Sequence, residues 1–198
     1  SDNIKFIKKF TLCLGRRDDA AEAFSKMRMY FMNLAFSEKS TPKIISTLGE
    51  ILSYHLSDED FDQILSEFVQ KDTSTLMTVM SSIISTKKIS EPVANMLLKR
   101  VIEYAKENPS QRMTAFNFIF GIVFNNSLSL SDEILDQIFS LSDDSSFYFF
   151  ASSMIQRNLI PYEYIERFIL ENNIETNDQQ FVTFIETLIR KLNPQKCT

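Results

Sequence analysis

Tryptophan is missing from this chain of 198 residues, glycine occurs three times, proline five times, cysteine twice and histidine once. Each shortage excludes something. A β-sandwich or barrel turns the chain tightly and often, and so few glycines and prolines cannot supply the turns, so helices are expected. One histidine, His55, leaves no His-based metal site and no His-rich catalytic cluster within the chain. Near the end of an amphipathic helix, it reads as a surface or dipole-satisfying residue. The sequence has no Gly-rich phosphate loop, no G-x-S-x-G elbow and no paired C-x-x-C.

Long apolar runs are also missing. None approaches the roughly 18–20 residues of a membrane span. No charged-then-apolar leader with a small-residue cleavage site opens the chain, and it does not begin with Met, so a processed form or a piece of a longer protein is expected. Cys13 and Cys197, near opposite ends, read as free thiols of a reducing compartment, with one long-range disulfide as the alternative. Together these absences lead us to expect no catalysis, no cofactor, no metal, no membrane insertion and an intracellular location.

What is present describes a folded chain. At 44% apolar and 24% charged residues, the composition is globular and the length suits one domain with a continuous core. The net charge of −5 hides an asymmetry: up to Lys43 there are nine basic and five acidic residues, a balance of +4, and the remainder carries −9. An acidic body with a basic first segment argues against a nucleic-acid face along the whole length, and leaves a local basic contact open.

One stretch is written twice. Leu56-Ser57-Asp58-Glu59 and Leu130-Ser131-Asp132-Glu133 lie 74 residues apart, and each continues after two residues with Asp-Gln-Ile, at Asp62-Gln63-Ile64 and Asp136-Gln137-Ile138. Each reads as a helix start: Ser at the N-cap, acids in the first turn where the dipole favours them, then apolar residues at helical spacing. The acids at Asp58, Glu59, Asp60 and Asp62 therefore read as a solvated first turn and not as a cation site.

Signals of the same kind place eleven helices. The first runs from Asp2 to Leu14 with Gly15 as its stop, and Asp18 is expected to cap the second. Thr41-Pro42 opens the third, Ser57 the fourth, Asp72 or Thr73 the fifth and Ser90-Glu91-Pro92 the sixth, which Asn108-Pro109 ends. The fifth is expected to run through Ile83 and Ile84. The seventh, to about Asn125, has so apolar a centre that Phe116–Phe124 would pass for a buried strand. Helical neighbours and the need to pair every backbone group favour a helix. Ser131 opens the eighth, Asp144 or Ser145 the ninth with Asn158 as its stop, Pro161 the tenth and Thr176 or Asn177 the eleventh.

Short turns between helices of this length make antiparallel hairpins, whose units recur about every 35 residues and must stack on neighbours to bury their apolar faces. Residues 1–198 are thus expected to form a single all-α domain, an irregular right-handed helical-repeat solenoid and a piece of a longer array. Apolar end helices without a polar cap would also permit self-association.

Two stretches resemble tetratricopeptide or pentatricopeptide hairpins. In Ile7–Met27, Leu14-Gly15-Arg16-Arg17-Asp18-Asp19-Ala20-Ala21 resembles the small-residue turn between paired helices. In Phe147–Asp178, Met154-Ile155-Gln156-Arg157-Asn158-Leu159 and Asn173-Ile174-Glu175 resemble the pentatricopeptide turn and repeat end. The array is also similar in period to armadillo and HEAT solenoids. The chain departs from tetratricopeptide units in lacking Trp. At about Phe6 and Phe149, where pentatricopeptide proteins carry a base-reading polar residue, it offers only phenyl rings.

Three surfaces are candidates for binding. Phe147-Tyr148-Phe149-Phe150 sweep most of a helix circumference, so the helix is either buried between two layers or turns part of its girdle to a partner. If the first helix of each pair lines a concave face, as the tetratricopeptide resemblance implies, then Phe116, Phe120, Tyr148 and Phe149 line an apolar groove for a protein partner. Met27, Met29 and Met32, with Tyr30 and Phe31, make a second, adaptable face. Lys5, Lys8, Lys9, Arg16 and Arg17 form a basic patch that suits an acidic protein surface or a phosphate backbone. The expected function is a non-catalytic protein-interaction scaffold, with RNA binding through the basic first hairpin as the alternative.

Overall fold

The computed structural model describes residues 2–14, 16–55, 57–84, 87–141, 145–171 and 179–192. Among these, all regular structure is helical and no strand occurs. The helices are α1 (Asp2–Leu14), α2 (Ala20–Ala35), α3 (Pro42–His55), α4 (Asp58–Phe68), α5 (Thr73–Met80), α6 (Glu91–Glu107), α7 (Arg112–Asn126), α8 (Asp132–Phe139), α9 (Ser145–Gln156), α10 (Tyr162–Glu171) and α11 (Gln179–Leu192). A 3-10 turn, Pro109–Gln111, leads into α7.

The caps explain most of the boundaries. Ser57 Oγ accepts from the Asp60 amide at 3.1 Å, Asp72 Oδ2 from Thr75 at 2.7 Å, and Ser131 Oγ from Ile134 at 3.4 Å. Each satisfies an amide that the helix itself leaves unpaired. α7 and α9 end in residues with left-handed backbone, Ser127 at φ 52° and Asn158 at φ 58°. Beyond them the Leu128 amide reaches the Val123 carbonyl at 3.1 Å and the Leu159 amide the Met154 carbonyl at 2.9 Å. Both are Schellman closures.

Three expectations shift. The N-cap of α2 is Asp19, not Asp18, and its side chain makes no cap bond because Arg17 holds both carboxylate oxygens at 2.7 Å. α5 stops at Met80, and Ile83 and Ile84 are buried in the turns that follow. Pro161 precedes α10, which begins at Tyr162. Gly15, Asp144, Thr176 and Asn177, expected as stop or caps, and Asn173-Ile174-Glu175 of the resemblance lie outside the described residues, as do Cys197 and the His55 side chain.

The chain divides into two compact units, Ser1–Arg100 and Val101–Thr198. In the first, α3 packs against α1, α2 and α5, and α2 also against α4. Phe24, Phe31, Met32, Leu48, Leu52, Phe61 and Leu76 are buried there. A polar seam ties α2 to α4. Ser25 Oγ donates to Asp60 Oδ1 at 3.0 Å, and Arg28 donates to Gln63 Oε1 at 2.6 Å with its Nε 3.5 Å from Asp60. Asp62 holds the start of α6, accepting from the Ser90 amide at 2.8 Å and the Ser90 hydroxyl at 2.6 Å.

In the second unit α9 packs against both α7 and α11. Phe116, Phe139, Phe147, Phe150 and Phe168 are buried as one aromatic cluster. Phe116 stacks on Phe150 at 4.9 Å, while Phe139 meets Phe147 at 5.0 Å and Phe168 at 4.6 Å edge to face. These are the offset and T-shaped geometries that ring quadrupoles favour. The apolar centre of α7 is helical. Burial of Phe116, Phe118, Ile119, Ile122 and Val123 covers more of its circumference than a surface helix would bury.

Candidate functional site

Among the described residues the most exposed aromatic side chain is Phe6 of α1, at 69% of its accessible surface, and Tyr30 of α2 is 61% exposed. Both stand at one apolar pocket of about 430 Å³. α1 supplies Phe6, Ile7 and Phe10, with Phe6 and Phe10 stacked at 6.1 Å. α2 supplies Met27, Tyr30, Phe31 and Leu34, spaced as one helical stripe, and Ile44 of α3 completes the apolar lining. Ile7, Phe31 and Ile44 are buried and form the floor, while Phe6 and Tyr30 make an open mouth.

The polar part of the pocket comes from the α2–α3 turn. Ser37 Oγ donates to the Leu34 carbonyl at 2.8 Å, and the Ser40 hydroxyl donates to the same carbonyl. These bonds close the C-terminal end of α2 and set Lys39 and Ser40 at the pocket edge. Lys39 has no acidic partner among the described residues. Lys5, Lys8 and Lys9 are likewise exposed and unpaired among them.

The anticipated groove residues are not brought to one face. Phe116 is fully buried in the aromatic cluster, and Tyr148 is buried against Phe184 at 5.8 Å. Phe120 is half-buried, stacked on Phe124 at 5.5 Å. Phe149 alone stands out, 61% exposed, in a cleft of about 470 Å³ between α9 and α11 that Ser152, Ser153, Gln156, Thr183 and Thr187 also line. Of the consecutive aromatics, Phe147, Tyr148 and Phe150 face the interior and Phe149 faces out.

The anticipated basic patch is divided. Lys5, Lys8 and Lys9 lie on α1, and Arg16 is exposed in the following turn. Arg17 is spent on Asp19, whose carboxyl the bidentate hydrogen bonds hold below its ordinary value. The adaptable face is divided too: Met32 is buried, Met29 half-buried, and Met27 lines the pocket. What sequence reasoning missed is Phe6, Phe10, Leu34, Lys39 and Ser40. The signal for the first three was there, as apolar residues at i and i+4 on α1 and i, i+3 and i+7 on α2. Lys39 and Ser40 depend on the turn and carry no signal in spacing.

A third constellation is structural. Tyr164 Oη donates to Asp136 at 2.7 Å, Arg167 reaches Asp132 at 3.2 Å, and the Arg167 guanidinium lies over the Tyr164 ring at 4.8 Å. Burial, then the hydrogen bond to Asp136, pushes the Tyr164 phenol well above its ordinary value, so it stays protonated and ties α10 to α8. Among the described residues no three of His, Cys, Asp and Glu converge as metal ligands would, and no helix is long and apolar enough to cross a membrane. No protein family, curated protein or solved structure matches the chain.

Proposed function

We propose that this chain is a non-catalytic protein-interaction module of the helical-repeat kind, an irregular right-handed solenoid. Its α1–α2–α3 pocket receives a segment of a protein partner. One observation carries the reading: Phe6 and Tyr30 are more than half exposed at the mouth of an apolar pocket of about 430 Å³ whose floor is buried. Rigid aromatics exposed beside a preformed apolar cavity suit an interface, because they bury large areas at small entropic cost. Phe149 beside the α9–α11 cleft is a secondary contact in this reading. The exposed free thiol of Cys13 suits a reducing, intracellular setting.

The test is selection of peptides from a displayed library on the whole chain, followed by affinity measurement on Phe6→Ala and Tyr30→Ala variants that keep their helical circular dichroism. Loss of about 1–2 kcal/mol at either position is expected. Selected peptides that bind both variants as tightly as the unaltered chain would remove the pocket from the proposal.

RNA binding is the second reading, favoured by the exposed and unpaired Lys5, Lys8 and Lys9 on α1. It expects affinity for single-stranded RNA to fall steeply with salt and to collapse on reversal of Lys8, Lys9 and Arg16. Gel-shift measurements across salt decide it.

A further inference from the structure

We infer that the segment taken by the α1–α2–α3 pocket is an amphipathic helix with an apolar stripe and acidic flanks. This rests on the interaction reading above and adds the chemistry of the partner. The apolar part follows from the lining, where stacked Phe6 and Phe10 face Tyr30 and Leu34 across the cavity wall. A groove between helices takes apolar anchors at i, i+3 or i+4 and i+7, and no strand among the described residues offers an edge for an extended segment to pair with.

The acidic part follows from unspent positive charge. Of the acids from Asp18 to Glu38, Asp19 is held by Arg17 and Glu22 by Lys26 at 2.5 Å, which leaves Asp18 and Glu38 against four lysines unpaired among the described residues, Lys5, Lys8, Lys9 and Lys39. Lys39 lines the pocket without an acidic partner. At about 100° per residue, Lys9 lies about 60° and Lys5 about 100° round α1 from Phe6, on the side away from buried Ile7. Cations thus stand on both sides of the mouth, Lys9 and Lys5 by α1 and Lys39 by the α2–α3 turn. An apolar helix edged with Glu or Asp would dock its stripe in the pocket and its carboxylates on these lysines. One edged with Lys would bring like charges together, which selects against it.

The experiment uses three synthetic helical peptides of the same apolar stripe, with Glu, Gln or Lys at the flanking positions. Each is titrated by fluorescence anisotropy against the whole chain at low and high salt. Expected is binding of the Glu peptide roughly tenfold tighter than the Lys peptide, the gap narrowing as salt rises. Lys9→Glu combined with Lys39→Glu should reverse the order, whereas Lys71→Glu at an exposed position in the turn between α4 and α5 should not. If all three peptides bind alike and Phe6→Ala weakens them alike, the pocket stands and the acidic partner is wrong. If the Lys71→Glu variant reverses the order as well, general surface charge explains the preference and the inference fails. If no peptide binds, both the inference and the pocket reading fall.

Discussion

At Gly49 a methyl group has nowhere to go: a Cβ there would stand 2.2 Å from the Val79 carbonyl oxygen, a backbone atom of α5. Alanine is ordinarily the better helix former by about 1 kcal/mol, so the direction of Gly49→Ala decides between propensity and packing. Packing wins here, because backbone cannot yield as a flexible side-chain tip can. We expect a loss of about 1–3 kcal/mol in urea unfolding, and a gain would mean that α3 and α5 do not cross so closely. Tyr164 offers a test in pH. Its folded pKa lies above the ordinary 10.0, so its contribution is fully present below pH 10 and fades as pH rises toward the raised value. Tyr164→Phe should cost about 1 kcal/mol at neutral pH through the lost bond to Asp136. Above pH 10 the gap between variant and parent should close, as guanidinium titrations at stepped pH would show.

Elements end where backbone groups are satisfied, and this decided which boundaries could be foreseen. Ser57, Ser131 and Asp72 begin helices as their side chains dictate, and Asn158 stops α9 with a left-handed residue as its chemistry suggests. Asp18 misled because two adjacent aspartates share one turn, and the neighbouring arginine, not the helix amides, took the second. Ser127 gave no signal at all: serine is an uncommon choice for φ 52°, and only the two closing hydrogen bonds show that α7 ends there. That cost is recoverable. Ser127→Gly should stabilise the chain by about 0.5–1 kcal/mol, since a left-handed non-glycine residue costs about 1–2 kcal/mol and glycine returns part of that as unfolded entropy. Asn158→Gly should gain less, because Asn tolerates this region. A thermal melt in which Ser127→Gly lowers the midpoint would contradict the cap geometry.

At the level of the whole molecule the written-twice stretch has a structural meaning beyond helix starts. Ile64 and Ile138 are both buried, and Asp62 and Asp136 each accept a hydrogen bond from the residue 28 positions on, Ser90 and Tyr164. The helices were legible because apolar spacing and caps are local. The pocket was not, because Phe6, Tyr30, Lys39 and Ile44 come from separate elements and only packing brings them together. For the same reason Phe116 was misjudged as a groove residue: the period of an apolar helix does not say which side has a neighbour. The repeat architecture we propose makes a claim about how stability spreads, since in stacked hairpins each unit depends on those it touches. Phe147→Ala removes a fully buried ring from between α7, α9 and their neighbours, at about 3–5 kcal/mol, whereas Phe149→Ala at an exposed ring should change stability by less than about 0.5 kcal/mol. Native-state hydrogen exchange should then show Phe147→Ala lowering protection in α7, α9 and α11 while α3 and α5 keep theirs. An equal loss in α3 and α5 would mean that the chain opens as one cooperative block, which a nearest-neighbour array does not do.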